Sequence, residues 1–439
     1  MKNRIWIGWP FSLFFLMITL ATKAQESRTL SLQQAIDLSL ANSQHLKMAN
    51  AKTEEATAVL KEAFDNRLPD LKISGSYLRL SSANISLKNG SDSTGGNAGP
   101  KVNQALYGMA NLSLPLYAGG RIRYGIESAR YLQQAARLDA ENDKESVVFN
   151  TVNAYVNLYK SAEAVKIVKE NLSASVNRDS MLANLERNGL LARNDLLKSQ
   201  LQSSRIELTL LDAENNYAQA VVNMNLMLGL PENTPLLPDD SFIEKKDTEK
   251  KFIEYEDAAL QNRKDLQSMG FRKKAATTGI QAARAEAFPT IVLTGGYIAA
   301  DIPNFLSITN AVNIGIGVQY NLASLWKTNS KKAQAIAREK QVTAGVTLLE
   351  DDIRRQVNHD YQAYLLSHKK IEVYEKAVIQ AAENYRITNN KYNNNLVTIT
   401  DLLDADVANV QAKLDLSFAK ADAVVAYDKL LLTTGSLSK

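Results

Sequence analysis

Chemistry needs nucleophiles, ligands or paired acids, and this chain offers few of them. Cysteine is absent from all 439 residues, which excludes thiolate catalysis, disulfides and cysteine-held metals. His45, His359 and His368 stand in no metal-ligand spacing, and His368 falls in a helical seam with Tyr361, Tyr364 and Ile371. Gly90, Gly95, Gly96 and Gly99 lack a strand-glycine-helix setting and a Walker lysine-serine pair, so they read as a surface loop and not a phosphate cradle. Asp401 and Asp404 put two carboxylates on one helical face. Read locally, Asp401 caps the last helix, with Thr400 as the alternative cap, and Asp404 follows in the first turn. No other titratable groups converge, so the expectation is a protein that is no enzyme and needs no cofactor or metal.

The elements that position these residues belong to an exported chain. Lys2 and Arg4 precede an apolar run from Ile5 to Leu20, and Thr22-Lys23-Ala24 offers small side chains for cleavage, so residues 1–24 read as a signal peptide. Its removal takes away three cations and lowers the formal net charge from +4 to +1, a balance with no pull toward nucleic acid. No later stretch is long and apolar enough for a membrane helix, so contact with lipid would have to come from a barrel.

The mature chain repeats itself once. Leu40-Ala41-Asn42 and Leu68-Pro69 match Leu260-Gln261-Asn262 and Phe288-Pro289 at a displacement of 220. Asn188-Gly189-Leu190 and Asp195-Leu196-Leu197 match Asn394-Asn395-Leu396 and Asp401-Leu402-Leu403 at 206. The first copy, 25–231, reads as helices over 31–67, 120–187 and 190–229 with strands over 70–81 and 104–117. A linker, 232–251, lacks periodicity, and the second copy, 252–439, reads as helices over 254–288, 324–393 and 397–434 with strands over 290–300 and 311–322. At 1.5 Å per residue, helix 120–187 would run about 100 Å, too long for a compact globule.

Asn313, Gly315, Gly317 and Gln319 alternate with Val312, Ile314, Ile316 and Val318, and the other strands alternate likewise. Alternation alone suits a half-buried sheet covered by helices. It suits equally a membrane barrel, which four strands cannot close, so several chains would each contribute four and a trimer would give twelve. The fold class expected is mainly α: a trimeric twelve-stranded β-barrel continuous with a long α-helical coiled-coil barrel, built from two repeats per chain.

Leu114-Pro115-Leu116-Tyr117-Ala118-Gly119-Gly120, the segment Thr400-Asp401-Leu402-Leu403-Asp404-Ala405 and the twofold repeat resemble the TolC-like outer membrane efflux protein family over about residues 30–435. The resemblance implies a homotrimer in the outer membrane lipid of a Gram-negative bacterium, with a helical stalk in the periplasm. It implies an exit duct for drugs, toxic compounds or ions, docked to a periplasmic adaptor and an inner-membrane transporter, of the proton-driven RND type in preference to the ABC type. A protein secretion duct and a non-conducting exported coiled-coil adhesin are the alternatives.

By the same resemblance Asp401 and Asp404 line the periplasmic constriction, where like charges from three chains should raise some pKa values and attract cations. Tyr392 and Asp195 match an aperture latch whose arginine is here Val397, with Arg193 or Arg187 as possible substitutes. The turns Asn188, Gly189, Leu190 and Asn394, Asn395, Leu396 match the rim that meets the adaptor, the linker matches an equatorial belt, and the lipid carried by some members on an N-terminal cysteine is not expected.

Overall fold

Ser31 opens the first helix with a capping box: its hydroxyl accepts from the Gln34 N–H, and the Gln34 side chain accepts from the Ser31 N–H, both at 3.3 Å. The computed structural model describes residues 28–83, 102–244, 250–303 and 305–437. The expected signal peptide, most of the loop 81–101 and part of the linker lie outside the described residues. In chain order the elements begin with β1 (Arg28–Leu30), α1 (Leu32–Asn42), α2 (Gln44–Asp65), β2 (Asp70–Ala83) and β3 (Val102–Tyr117). Then come α3 (Arg121–Arg187), α4 (Arg193–Leu228), β4 (Leu236–Pro238), α5 (Phe252–Asn262) and α6 (Lys264–Ala285). The chain continues through β5 (Thr290–Ile302), β6 (Leu306–Gln319), α7 (Ser324–Asn393) and α8 (Ile399–Thr433).

Two helices expected to be continuous are broken. Ser43, at φ −56° and ψ 121°, ends α1 and caps α2, its hydroxyl accepting from the Leu46 N–H. Arg263, at φ −58° and ψ 123°, separates α5 from α6 in the same way. One extended residue interrupts the backbone bonds while barely rotating the apolar face, so the periodicity runs through the break unseen. The two breaks lie 220 apart, from residue 43 to 263, and fall where the half-length helices pass the waist. The last helix starts at Ile399, two residues later than expected.

α3 has 67 residues and α7 has 70, so each spans about 100 Å. On the sheet side α3 packs against α2 and α6; further along it packs against α4 and α8. α7 lies against α6 and then α8. The seams bury small and slender groups, among them Ala129, Ala135, Ala220, Ala275 and Ala421, so neighbouring helices approach closely. Apolar side chains on the other faces, including Met48, Val59, Leu201 and Leu208, stay uncovered.

The four long strands, of 14, 16, 13 and 14 residues, form one antiparallel sheet in the order β2-β3-β5-β6. They exceed the ten or so residues that alternation suggested. β3 joins β5 across the two repeats, Leu114 opposite Leu293, with a bulge beside Pro115, which has no N–H to pair. Residues directly opposite share a face, so the registers collect Leu71, Ile73, Leu112, Leu293, Ile314 and Ile316 on one side. No helix covers that side: Ile73 is 81% exposed and Ile314 is 82%. The covered-sheet reading therefore does not hold.

A waist cluster ties the linker down. β4 pairs in parallel with β1, two strands of three residues that the sequence reading left out. The Tyr155 hydroxyl, buried on α3, donates to the Leu30 carbonyl at 2.7 Å and accepts from the Asp239 N–H at 2.8 Å. Burial pushes the Tyr155 phenol well above its ordinary range. Tyr217 donates to the Leu236 carbonyl, and the Asn225 amide donates to the Glu232 and Thr234 carbonyls.

Candidate functional site

The end of the stalk far from the sheet is made by two reversals of the chain. After α3, Asn188 is the C-cap and Gly189 takes φ +70°; after α7, Asn394 is the C-cap and Asn395 takes φ +60°. Each turn closes with the same pair of backbone bonds. Gly189 N–H reaches Glu186 O and Leu190 N–H reaches Leu185 O; Asn395 N–H reaches Tyr392 O and Leu396 N–H reaches Lys391 O, all at 2.9 Å. This is the Schellman arrangement, which needs a left-handed residue and therefore glycine or asparagine. Its consequence is that Leu190 and Leu396 project outward, 75% and 72% exposed. Behind them Leu182, Ile399, Leu402 and Leu403 form one apolar cluster, with Tyr385, Tyr392, Leu185 and Leu196 packed on it. The two turns are thus one structural unit.

Asp401 is not the cap expected of it, and neither is Thr400. Thr398 caps α8: its hydroxyl accepts from the Asp401 N–H at 3.3 Å, and the Asp401 carboxylate accepts from the Thr398 N–H at 2.8 Å. The Thr398 hydroxyl, and after it the Thr398 N–H, hold the Asp401 carboxyl below its ordinary value. Inside one chain the shift is thus opposite in direction to the one a ring of like charges would cause. Leu402, Leu403, Ala405 and Asp406 are buried, which leaves Asp401 and Asp404 together on the exposed face of α8.

Tyr392 sits half-buried on the apolar cluster. Burial raises its phenol, and the nearby Asp195 carboxylate adds to the rise while Arg178 opposes it. Asp195 itself lies in the first turn of α4, with Lys198 Nζ at 3.5 Å. The arginines considered as latch substitutes have other partners. Arg193 lies 3.8 Å from Glu186, and Arg187 bonds Asn184 and the Ala183 carbonyl within its own helix.

The arginine that matters at this end is Arg178. It donates through Nη2 to the Asp406 carboxylate, both side chains being buried, and Asn171 Nδ2 approaches the other Asp406 oxygen at 3.5 Å. Burial raises the Tyr385 phenol, with further contributions from the Asp406 charge and, in the opposite sense, from Arg178. The ion pair joins α3 of the first repeat to α8 of the second. Sequence reasoning missed it, although a signal existed: Arg178 is the one cation in the buried row Ser175, Arg178, Leu182. Among the described residues no group of three or more acids or histidines could hold a metal ion.

The comparisons with known proteins agree with this architecture. The profile of the family described as "Outer membrane efflux protein" matches residues 35–230 and 256–436. Outer membrane efflux protein BepC of Brucella suis biovar 1 (strain 1330) is 22% identical over 415 residues, covering 88% of this chain and 87% of BepC. Among solved structures, CusC superposes with a TM-score of 0.77 at 19% identity over 92% of each chain. The open state of the Neisseria gonorrhoeae MtrE outer membrane channel gives 0.74 at 20% identity over 92% of this chain and 89% of that one. Two family matches, one per repeat, cover the helices and strands that build the sheet and the tip, and this chain belongs to the outer membrane efflux protein family.

Proposed function

We propose that three copies of this chain close one twelve-stranded barrel in the outer membrane, continue it as a helical tube through the periplasm, and so form the exit duct of a tripartite efflux system. The observation that carries the reading is the sheet: an uncovered apolar face, with the outer edges of β2 and β6 unpaired among the described residues. Open edges are not tolerated in lipid, and only other strands can satisfy them. CusC, whose solved structures concern transmembrane channel formation, has the same fold.

At the far end the tip turns would meet a periplasmic adaptor through Leu190 and Leu396, and the adaptor would connect the duct to a proton-driven inner-membrane transporter. The cargo would be small toxic molecules or ions. Asp401 and Asp404 from each chain would ring the throat, with Tyr392, Asp195 and the Arg178–Asp406 pair holding the closed arrangement. The duct performs no chemistry; the transporter supplies the energy.

Because the chain has no cysteine, the assembly can be tested cleanly. Single cysteines placed in β2 between residues 72 and 78, combined with single cysteines in β6 between 311 and 317, should crosslink only between copies. The expected product in native membranes is a ladder that stops at three chains, from protein that conducts ions in planar bilayers. Monomers alone, or a ladder without an upper limit, would overturn the proposal.

A further inference from the structure

Where the sheet meets the helices, a groove of about 770 Å³ runs over α6 between α3 and α7 and continues into a second of about 360 Å³ that reaches the strand ends. Arg121, Glu286 and Lys331 line both, so the two are one continuous feature. Ala276, Gly279 and Ala283 form its floor, and their small side chains leave the space open.

Strand register says which side of the wall this is. Thr290 and Gln319, which line the upper part, are directly paired, and the next pair along is Ile291 with Val318. Successive residues of a strand point to opposite faces, and Val318 belongs to the uncovered apolar face, 70% exposed. The groove therefore opens on the polar face, which in the duct is the lumen.

Its charge is one-sided. Arg121, Arg272, Lys327, Lys331 and Arg338 line it, and Glu286 is the sole acid among the lining residues. Lys331 pairs with Glu286, and Arg272 with Asp139 and Ser268. Among the described residues no carboxylate lies within ion-pair distance of Arg121, Lys327 or Arg338. Three cations without a carboxylate partner leave a net positive field along the groove, which a bound anion would neutralise.

We propose that this groove is an anion-binding site of the duct lumen, selective for small, multiply anionic solutes such as those bearing phosphate or sulfonate groups. Arginine offers them a bidentate fork and lysine a mobile point charge. Three chains would place nine such cations in a band about 17 Å deep around the tube, three from each, and this band rests on the trimeric duct reading. α7 separates it from Asp401 and Asp404 by about 80–100 Å, roughly ten times the Debye length of about 8 Å at physiological salt. The acidic tip therefore neither cancels nor competes with the basic band. Cargo would meet negative groups on entering and positive groups before leaving.

Calorimetric titration of the detergent-purified full chain with sodium tripolyphosphate, at about 0.15 M KCl, tests the site directly. The Arg121→Gln/Lys327→Gln/Arg338→Gln variant should bind at least tenfold more weakly, whereas Lys340→Gln, exposed on α7 outside the groove, should bind like the parent. In planar bilayers the triple variant should also need at least tenfold more tripolyphosphate for half-block, with its reversal potential shifted toward cation selectivity. Equal binding by parent and triple variant, or no binding by the parent, overturns the proposal. A parent that binds tripolyphosphate but passes no current keeps the groove and sinks the duct instead.

Discussion

Arg178 and Asp406 form an ion pair that is costly to break from one side, because both side chains are buried. Removing one partner of a buried pair leaves an uncompensated charge, at a cost of about 3–5 kcal/mol, while replacing both by apolar groups is often close to neutral. Arg178→Met should therefore lower the unfolding midpoint and raise single-channel conductance. Arg178→Met with Asp406→Leu should recover most of the stability but keep the high conductance, since the polar lock between α3 and α8 is still gone. A double variant as unstable as the single would mean that the ion pair itself stabilises this seam, beyond sparing it an unpaired buried charge. The Thr398–Asp401 box makes a separate prediction. Its carboxyl is held below the ordinary 3.8, so its contribution is full above that pH and is lost as the pH falls through the lowered folded value. Hydrogen exchange across residues 399–405, corrected for intrinsic rate, should show that acid-side step, and Thr398→Ala, which keeps only the backbone N–H donor, should shrink it. At this scale the acidic pair was legible as types and spacing, yet its cap was not. Thr398 and Thr400 are both plausible caps on paper, and only backbone geometry at residue 398, with ψ of 163°, selects the first.

The helices join through glycines that leave no room for anything else. Gly229 ends α4 at φ +69°, and a Cβ there would lie 2.9 Å from the Asn42 Cβ; Gly435 stands at φ +62° with a Cβ 2.9 Å from the Asn262 carbonyl carbon. Asn42 donates to the Leu228 carbonyl at 2.7 Å, so the close approach and the bond depend on each other. Gly229→Ala combines left-handed strain with a clash and should destabilise by more than about 1 kcal/mol, read as a lower thermal midpoint. Tyr155→Phe removes the hydroxyl that serves Leu30 and Asp239 and should cost about 1–3 kcal/mol, with faster exchange across β1 and β4. An unchanged exchange rate there would show that β1 and β4 hold the waist without it. The long elements were readable because dozens of residues vote on one period. The three-residue strands β1 and β4 were not, since their partners are more than two hundred positions apart and no local pattern announces them.

In the proposed duct each chain is a strip of wall, with two sheet edges unpaired among the described residues and two differently wetted faces. The lipid-facing reading of the sheet predicts an asymmetry between neighbours in β6. Ile314→Arg puts a charge on the uncovered apolar face and should cost about 2–4 kcal/mol near the bilayer midplane, seen as loss of assembled protein from the outer membrane. Asn313→Arg, on the opposite face, should assemble normally and change conductance. If both assembled equally well, the apolar face would not be meeting lipid.

Composition and periodicity by themselves determined that this is a repeated, mainly helical chain with amphipathic strands, because those properties are sums over local residues. The two displacements of 220 and 206 likewise needed only the order of residues. Tertiary structure alone decided which face of the sheet stays bare, that Arg178 meets Asp406, and that five cations line one groove. Each of these depends on a register or a helix rotation set by packing between segments far apart in the chain, and no local preference encodes them.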